Sequence, residues 1–168
     1  LRRQRQMCIR DSEETRSRRE KFPPLPLISD NEVIQEQPDQ AGITERYVEE
    51  SIKFIRKNKK QPFFLYLAHM YVHLPLYAPE RFINNSRNGR YGAAVSGIDW
   101  STAMILDELK KLDLDENTLI IFTSDNGSNT RNNGSNAPLR GKKQETYEGG
   151  QRVPMIMKWP KKIPAIIY

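Results

Sequence analysis

Thr118–Asn126 reads TLIIFTSDN, and its interpretation decides the fold. Leu119 to Thr123 are strand-favouring residues in one largely apolar run. The run stops at Ser124-Asp125-Asn126-Gly127. A short run without polar alternation suits a strand covered on both faces, as in a parallel sheet. Asp125 and Asn126 would then stand just past its C-terminal end, the edge of an open α/β sheet at which ligands bind. Both side chains offer oxygen, which suits a hard divalent cation. The plainer reading is a strand followed by an Asn-Gly turn. The stretch alone is compatible with either.

Working outward, Asp113–Asn117 is a polar turn, and a helix is expected before it from about Tyr91 to Leu112. Val95, Ile98, Thr102, Ile105, Leu109 and Leu112 step by three and four along it. Earlier still, Pro62 opens an apolar run, Phe63 to Ala68, that reads as a second buried strand. A helix precedes that run. Thr44 can cap it at Glu45, and Tyr47, Val48, Ser51, Ile52 and Ile55 form one apolar stripe. Lys53, Arg56, Lys57, Lys59 and Lys60 crowd its end, where cations suit the helix dipole. Downstream, residues 127–139 are rich in Gly, Ser and Asn and read as a mobile surface loop. Val153–Trp159 reads as a last strand. Helix, strand, loop, helix, strand implies an α/β fold with parallel strands, right-handed crossovers and helices against the sheet.

His69 and His73 are the only histidines, and both follow the Phe63–Ala68 run in a loop stiffened by Pro75 and Pro79. A histidine at a strand end serves structure or chemistry, and the pair is compatible with both.

The 168 residues suffice for one domain with a core, although only 37% are hydrophobic. Mean hydropathy is −0.74, and no stretch is long and apolar enough to cross a bilayer. No apolar secretory segment is visible at the N-terminus, which fits a cytosolic protein or a chain lacking its true beginning. The net charge of +6 invites a nucleic-acid partner, but residues 1–21 carry +4 of it and the body is nearly balanced, so no nucleic acid is expected. That leader lacks periodicity and reads as disordered or foreign to the domain. Cys8, the one cysteine, has no disulfide or metal partner. Phe22–Leu27, with three prolines in four positions, reads as an extended connector or a PxxP-type ligand. Asn84, Asn126 and Asn133 each match the glycosylation pattern Asn-x-Ser/Thr, which is cheap by chance in so Asn-rich a chain.

Three stretches stand out in series: PFFLYLAHMYVHLPL, GIDWSTAMILDELKKLDLDENTLIIFTSDNG and APLRGKKQETYEGGQRVPMIMKWPKKIPA. With FPPLPLISDNEVIQEQP and ITERYVEESIKFIRKNKKQPFFLYL, they make the chain from about Phe22 to Ala165 resemble the sulfatases, in particular arylsulfatases of the galactosamine-6-sulfatase-like kind. The resemblance implies an alkaline-phosphatase-like α/β fold, a mostly parallel sheet with flanking helices, present here incompletely. It implies hydrolysis of a sulfate ester on a small molecule or glycan, with a bound divalent cation, usually Ca2+. Asp125 and Asn126 match the second pair of metal ligands. His73 matches the histidine that contacts the substrate sulfate, and Lys143 matches the lysine that binds the same sulfate. Lys142 stands where the family often has glycine and competes for the lysine role. His69 is expected to be structural or to support the site, and Glu148, Gly149, Gly150 and Arg152 to shape the loop behind it.

The family's nucleophile, a formylglycine made within a Cys/Ser-x-Pro-x-Arg motif, has no counterpart in this sequence. Its first metal pair, two adjacent aspartates, is also absent. The expectation is a partial catalytic domain over 22–165, a leader of other origin over 1–21 and a truncated end over 166–168, inactive by itself. By resemblance the parent is secreted, lysosomal or periplasmic, and homo-oligomerisation of that parent is compatible with the sequence. Two alternatives stay open. One is a related phosphoester or phosphonate hydrolase of the same superfamily. The other is a degenerate domain kept for binding.

Overall fold

The computed structural model describes residues 24–130 and 134–165. The leader with Cys8, Asn133 and the last three residues lie outside them. The chain divides into two compact units, one ending at Ile105 and one beginning at Leu106.

The first unit opens with a hairpin. β1 (Pro26–Ser29) pairs antiparallel with β2 (Glu32–Glu36), with Ser29 opposite Glu32. Asp30 takes φ 51, a left-handed turn conformation that Asp tolerates. Connector and peptide-ligand readings of Phe22–Leu27 both missed this strand. The signal was an Asp30-Asn31 turn flanked by Leu27-Ile28 and Val33-Ile34.

α1 runs over Ile43–Asn58 and buries Ile43, Thr44, Val48, Ser51 and Ile55 along one stripe. The expected Thr44 cap does not form. Gly42 holds the cap position without a side-chain hydrogen bond, and Thr44 is buried inside the first turn. The reason is Ile43, which joins the core cluster with Tyr71 and Ala94 and draws the helix start two residues earlier. α2 is the short turn Glu80–Ile83. α3 covers Gly89–Lys111. Its buried positions are the small residues Ala93, Ala94, Gly97 and Ser101 and, near its end, Glu108 and Leu109, whereas Val95 is exposed. At Gly97 the Phe82 ring lies 3.8 Å from where a Cβ would stand, an ordinary packing distance.

Phe63–Ala68 is not the buried strand expected. Half-buried and exposed residues alternate from Phe63 to Leu67, but the segment joins no ladder among the described residues. Phe64 is 85% exposed and Tyr66 77%. Phe63 turns inward, edge-on to Phe54.

In the second unit a 3-10 turn, Asp115–Asn117, leads into β3 (Ile120–Thr123). α4 (Glu148–Gln151) is a single turn, and β4 (Met155–Lys158) follows. β3 and β4 pair antiparallel, with Ile121 opposite Met157 and Phe122 opposite Ile156. Two expectations change here. Both ladders among the described residues are antiparallel, so no parallel sheet is formed by them. And β3 is largely exposed rather than covered on both faces, because β4 is its one partner among the described residues.

Candidate functional site

β3 ends at Thr123 and the chain turns at once. The Ser124 hydroxyl donates to the Asn126 carbonyl at 3.0 Å, an Asx/ST-type local bond that tightens the turn. Asp125 is exposed and Asn126 half-buried. Neither side chain has a hydrogen-bond or ion-pair partner among the described residues, so their oxygens remain available.

Gly127 follows and is buried. Its N–H donates to the Gly150 carbonyl at 2.9 Å, and a Cβ at this position would run into the Gly149 carbonyl. Only glycine allows the two backbones to approach this closely. Gly149 donates its N–H to the Arg140 carbonyl at 2.7 Å. Gly141 sits at φ +94, where a side chain would also strike Tyr147. The Glu148-Gly149-Gly150 turn is thus packed directly behind the loop that bears Asp125 and Asn126.

Lys143 is joined to the same loop. Its N–H donates to the Ser128 carbonyl at 3.1 Å, two residues beyond Asn126. The residue is half-buried, and its amine has no ion-pair partner among the described residues. Lys142 is committed elsewhere: its amine lies 4.0 Å from a Glu145 carboxylate oxygen, and its N–H donates to the other oxygen at 3.2 Å. The two adjacent lysines thus differ in their partners among the described residues. The described residues on either side, 127–130 and 134–139, are also less loose than expected. Asn136 is half-buried and bonds Ser128 and Gly141, a role that sequence reasoning missed.

The histidines belong to the first unit. His73 donates from Nδ1 to the Leu74 carbonyl at 2.7 Å, while its backbone N–H donates to the Met70 carbonyl at 3.2 Å. His69 packs inside. Its Nε2 lies 3.2 Å from the hydroxyl of fully buried Ser101, and its Nδ1 has no hydrogen-bond partner among the described residues. Burial pushes its pKa below the usual imidazole value. A neutral, enclosed ring of this kind supports structure.

Among the described residues no three His, Cys, Asp or Glu side chains gather into a metal-binding group. Asp125 and Asn126 fit a hard cation in donor chemistry, and would supply two of the six to eight oxygens that a calcium ion takes. Likewise, no helix among the described residues is long and apolar enough to cross a membrane.

Comparison with known proteins follows the same lines. The Sulfatase family model matches residues 7–167. The chain is 39% identical to the steryl-sulfatase of Rattus norvegicus over 142 residues, 80% of this chain and 25% of that protein. It is 45% identical to the N-acetylgalactosamine-6-sulfatase of Canis lupus familiaris over 132 residues, 75% of this chain and 25% of that protein. Among solved structures, i-CgsB in complex with k-i-k-neocarrahexaose superposes with a TM-score of 0.75 at 34% identity, over 91% of this chain and 36% of that one. The PsFucS1 sulfatase from Pseudoalteromonas sp. gives 0.70 at 35% identity, over 74% and 26%. The chain thus spans about a quarter of the length of the curated relatives it matches.

Proposed function

The chain belongs to the sulfatase family, and from that premise we propose that it forms part of a sulfuric ester hydrolase in which Asp125, Asn126, Lys143 and His73 act on the sulfate group. The observation that carries this reading is the bond from the Lys143 N–H to the Ser128 carbonyl. It ties the backbone of a lysine to the loop that carries a carboxylate and a carboxamide side by side. Oxygen donors for a cation and a lysine for an anion on joined loops are groups that favour a bound oxyanion.

Asp125 and Asn126 would hold one side of a divalent ion, calcium by its preference for hard oxygen donors. When bound, that ion supplies positive charge against the sulfate oxygens. Lys143 adds a second positive contact. His73, whose Nδ1 donates to the Leu74 carbonyl, gives up a proton or hydrogen bond to the leaving alcohol or phenol oxygen. Residues 22–165 are the catalytic-domain portion in this reading. Phe63–Ala68 and β3 are strands of a larger, mostly parallel sheet, which accounts for their apolar faces standing open. The substrate is a sulfated small molecule or glycan, and the parent protein is secreted, lysosomal or periplasmic.

The test has two arms. Purified chain of residues 1–168 should not hydrolyse an aryl sulfate, because it carries no Cys/Ser-x-Pro-x-Arg nucleophile segment. In the longer protein that this reading requires, Asp125→Ala and Lys143→Ala should each lower kcat/KM by about 100- to 1,000-fold. Wild-type turnover in either variant would defeat the assignment.

A further inference from the structure

The Asn136 carboxamide does what a strand would do. Its Oδ1 accepts the Ser128 N–H at 2.8 Å, and its Nδ2 donates to the Ser128 carbonyl at 2.9 Å and to the Gly141 carbonyl at 3.1 Å. One side chain thus satisfies both backbone groups of Ser128 and one of Gly141. Ser128 lies two residues past Asn126, and Gly141 two residues before Lys143. The Ser128 carbonyl is shared, since it also accepts the Lys143 N–H at 3.1 Å. Asn136 is half-buried, so its three bonds are partly sheltered from water and leaving them unmade is costly.

We propose that Asn136 is a positioning residue: its carboxamide sets the spacing between the Asp125-Asn126 loop and the Lys143 loop, and so the distance from the cation ligands to the sulfate-binding amine. The assignment of those partners rests on the function proposed above; the pin itself does not. Geometry explains why an amide is required. Aspartate would keep the acceptor for the Ser128 N–H but lose both donations, and would press a negative oxygen against two carbonyls. Alanine would lose all three bonds.

Hydrogen–deuterium exchange of the full chain at single-residue resolution tests this, with Asn136→Ala and Asn136→Asp compared. Asn136→Ala should speed exchange at the Ser128 and Lys143 amides by about tenfold or more. Asn136→Asp should speed Lys143 alike while leaving Ser128 protected, a split that general loosening cannot produce. Unchanged Lys143 exchange in both variants would overturn the pin. So would an equal rise at the β3 amides of Ile121 and Phe122, which would make Asn136 a support of the fold at large. A second measurement follows the Lys143 side-chain nitrogen by NMR as inorganic sulfate is added with calcium. If the unsubstituted chain shows no response, the sulfate role of Lys143 falls while the exchange result still decides the pin. If it responds, Asn136→Ala should weaken the response about tenfold, and an undiminished response would overturn the spacing role.

Discussion

Lys142 and Lys143 show how adjacent like residues part company. The Lys142 amine faces Glu145 at 4.0 Å, an exposed pairing of the sort worth little to stability. Lys143 anchors by its backbone and keeps its amine for other use. In the longer enzyme, Lys142→Ala should therefore change kcat/KM by less than about threefold, against the large loss expected for Lys143→Ala. Comparable losses in the two variants would reverse the assignment. His69 makes a second case. Burial depresses its folded-state pKa below the usual 6.5, so the folded chain binds fewer protons than the unfolded chain at mildly acid pH. Its contribution to stability is present above the unfolded value and is lost as pH falls through the folded value. The urea midpoint should therefore drop between pH 7.5 and pH 5, and His69→Gln, which can still bond Ser101, should flatten part of that drop. An identical pH dependence in the variant would remove His69 as a cause.

At the scale of elements, glycines decide how closely the site loops approach. Gly127→Ala sets a methyl against the Gly149 carbonyl, and Gly141→Ala forces φ +94 on a residue with a Cβ. Each should cost about 1–3 kcal/mol by overpacking or backbone strain, read from urea unfolding. Ile55→Ala in α1, which empties a fully buried position, should cost about 2–5 kcal/mol. Periodicity made α1 and α3 legible, and the apolar run with its SDNG end made β3 and the Asp125-Asn126 turn legible. What escaped was set by tertiary contact. The start of α1 was fixed by Ile43 in the core, the buried face of α3 by Ala93, Ala94 and Gly97, and the pairing of β3 by β4. Asn136 was hidden for the same reason: its sequence neighbours read as loop, and its three bonds reach residues five and eight positions away.

At the scale of the whole molecule, the apolar surface left open makes the last prediction. In the second unit Ile121 is 54% exposed, Met155 57% and Ile156 66%, on a two-stranded ladder whose outer edges have no partner among the described residues. An exposed apolar ladder with free edges pairs readily with another copy. The chain of residues 1–168 should therefore self-associate in sedimentation as concentration rises, and unfold without a sharp, reversible thermal transition. Ile121 and Ile156 point to opposite faces, because Ile121 pairs with Met157 and Ile156 with Phe122, the next residue along β3. Ile121→Lys with Ile156→Lys would place a charge on each face while leaving the ladder hydrogen bonds unaltered. That double variant should shift the distribution toward monomer. If it associates as strongly as the unsubstituted chain, the open faces of this ladder are not what brings the copies together, and the exposed Phe64 and Tyr66 of the first unit become the surface to replace next.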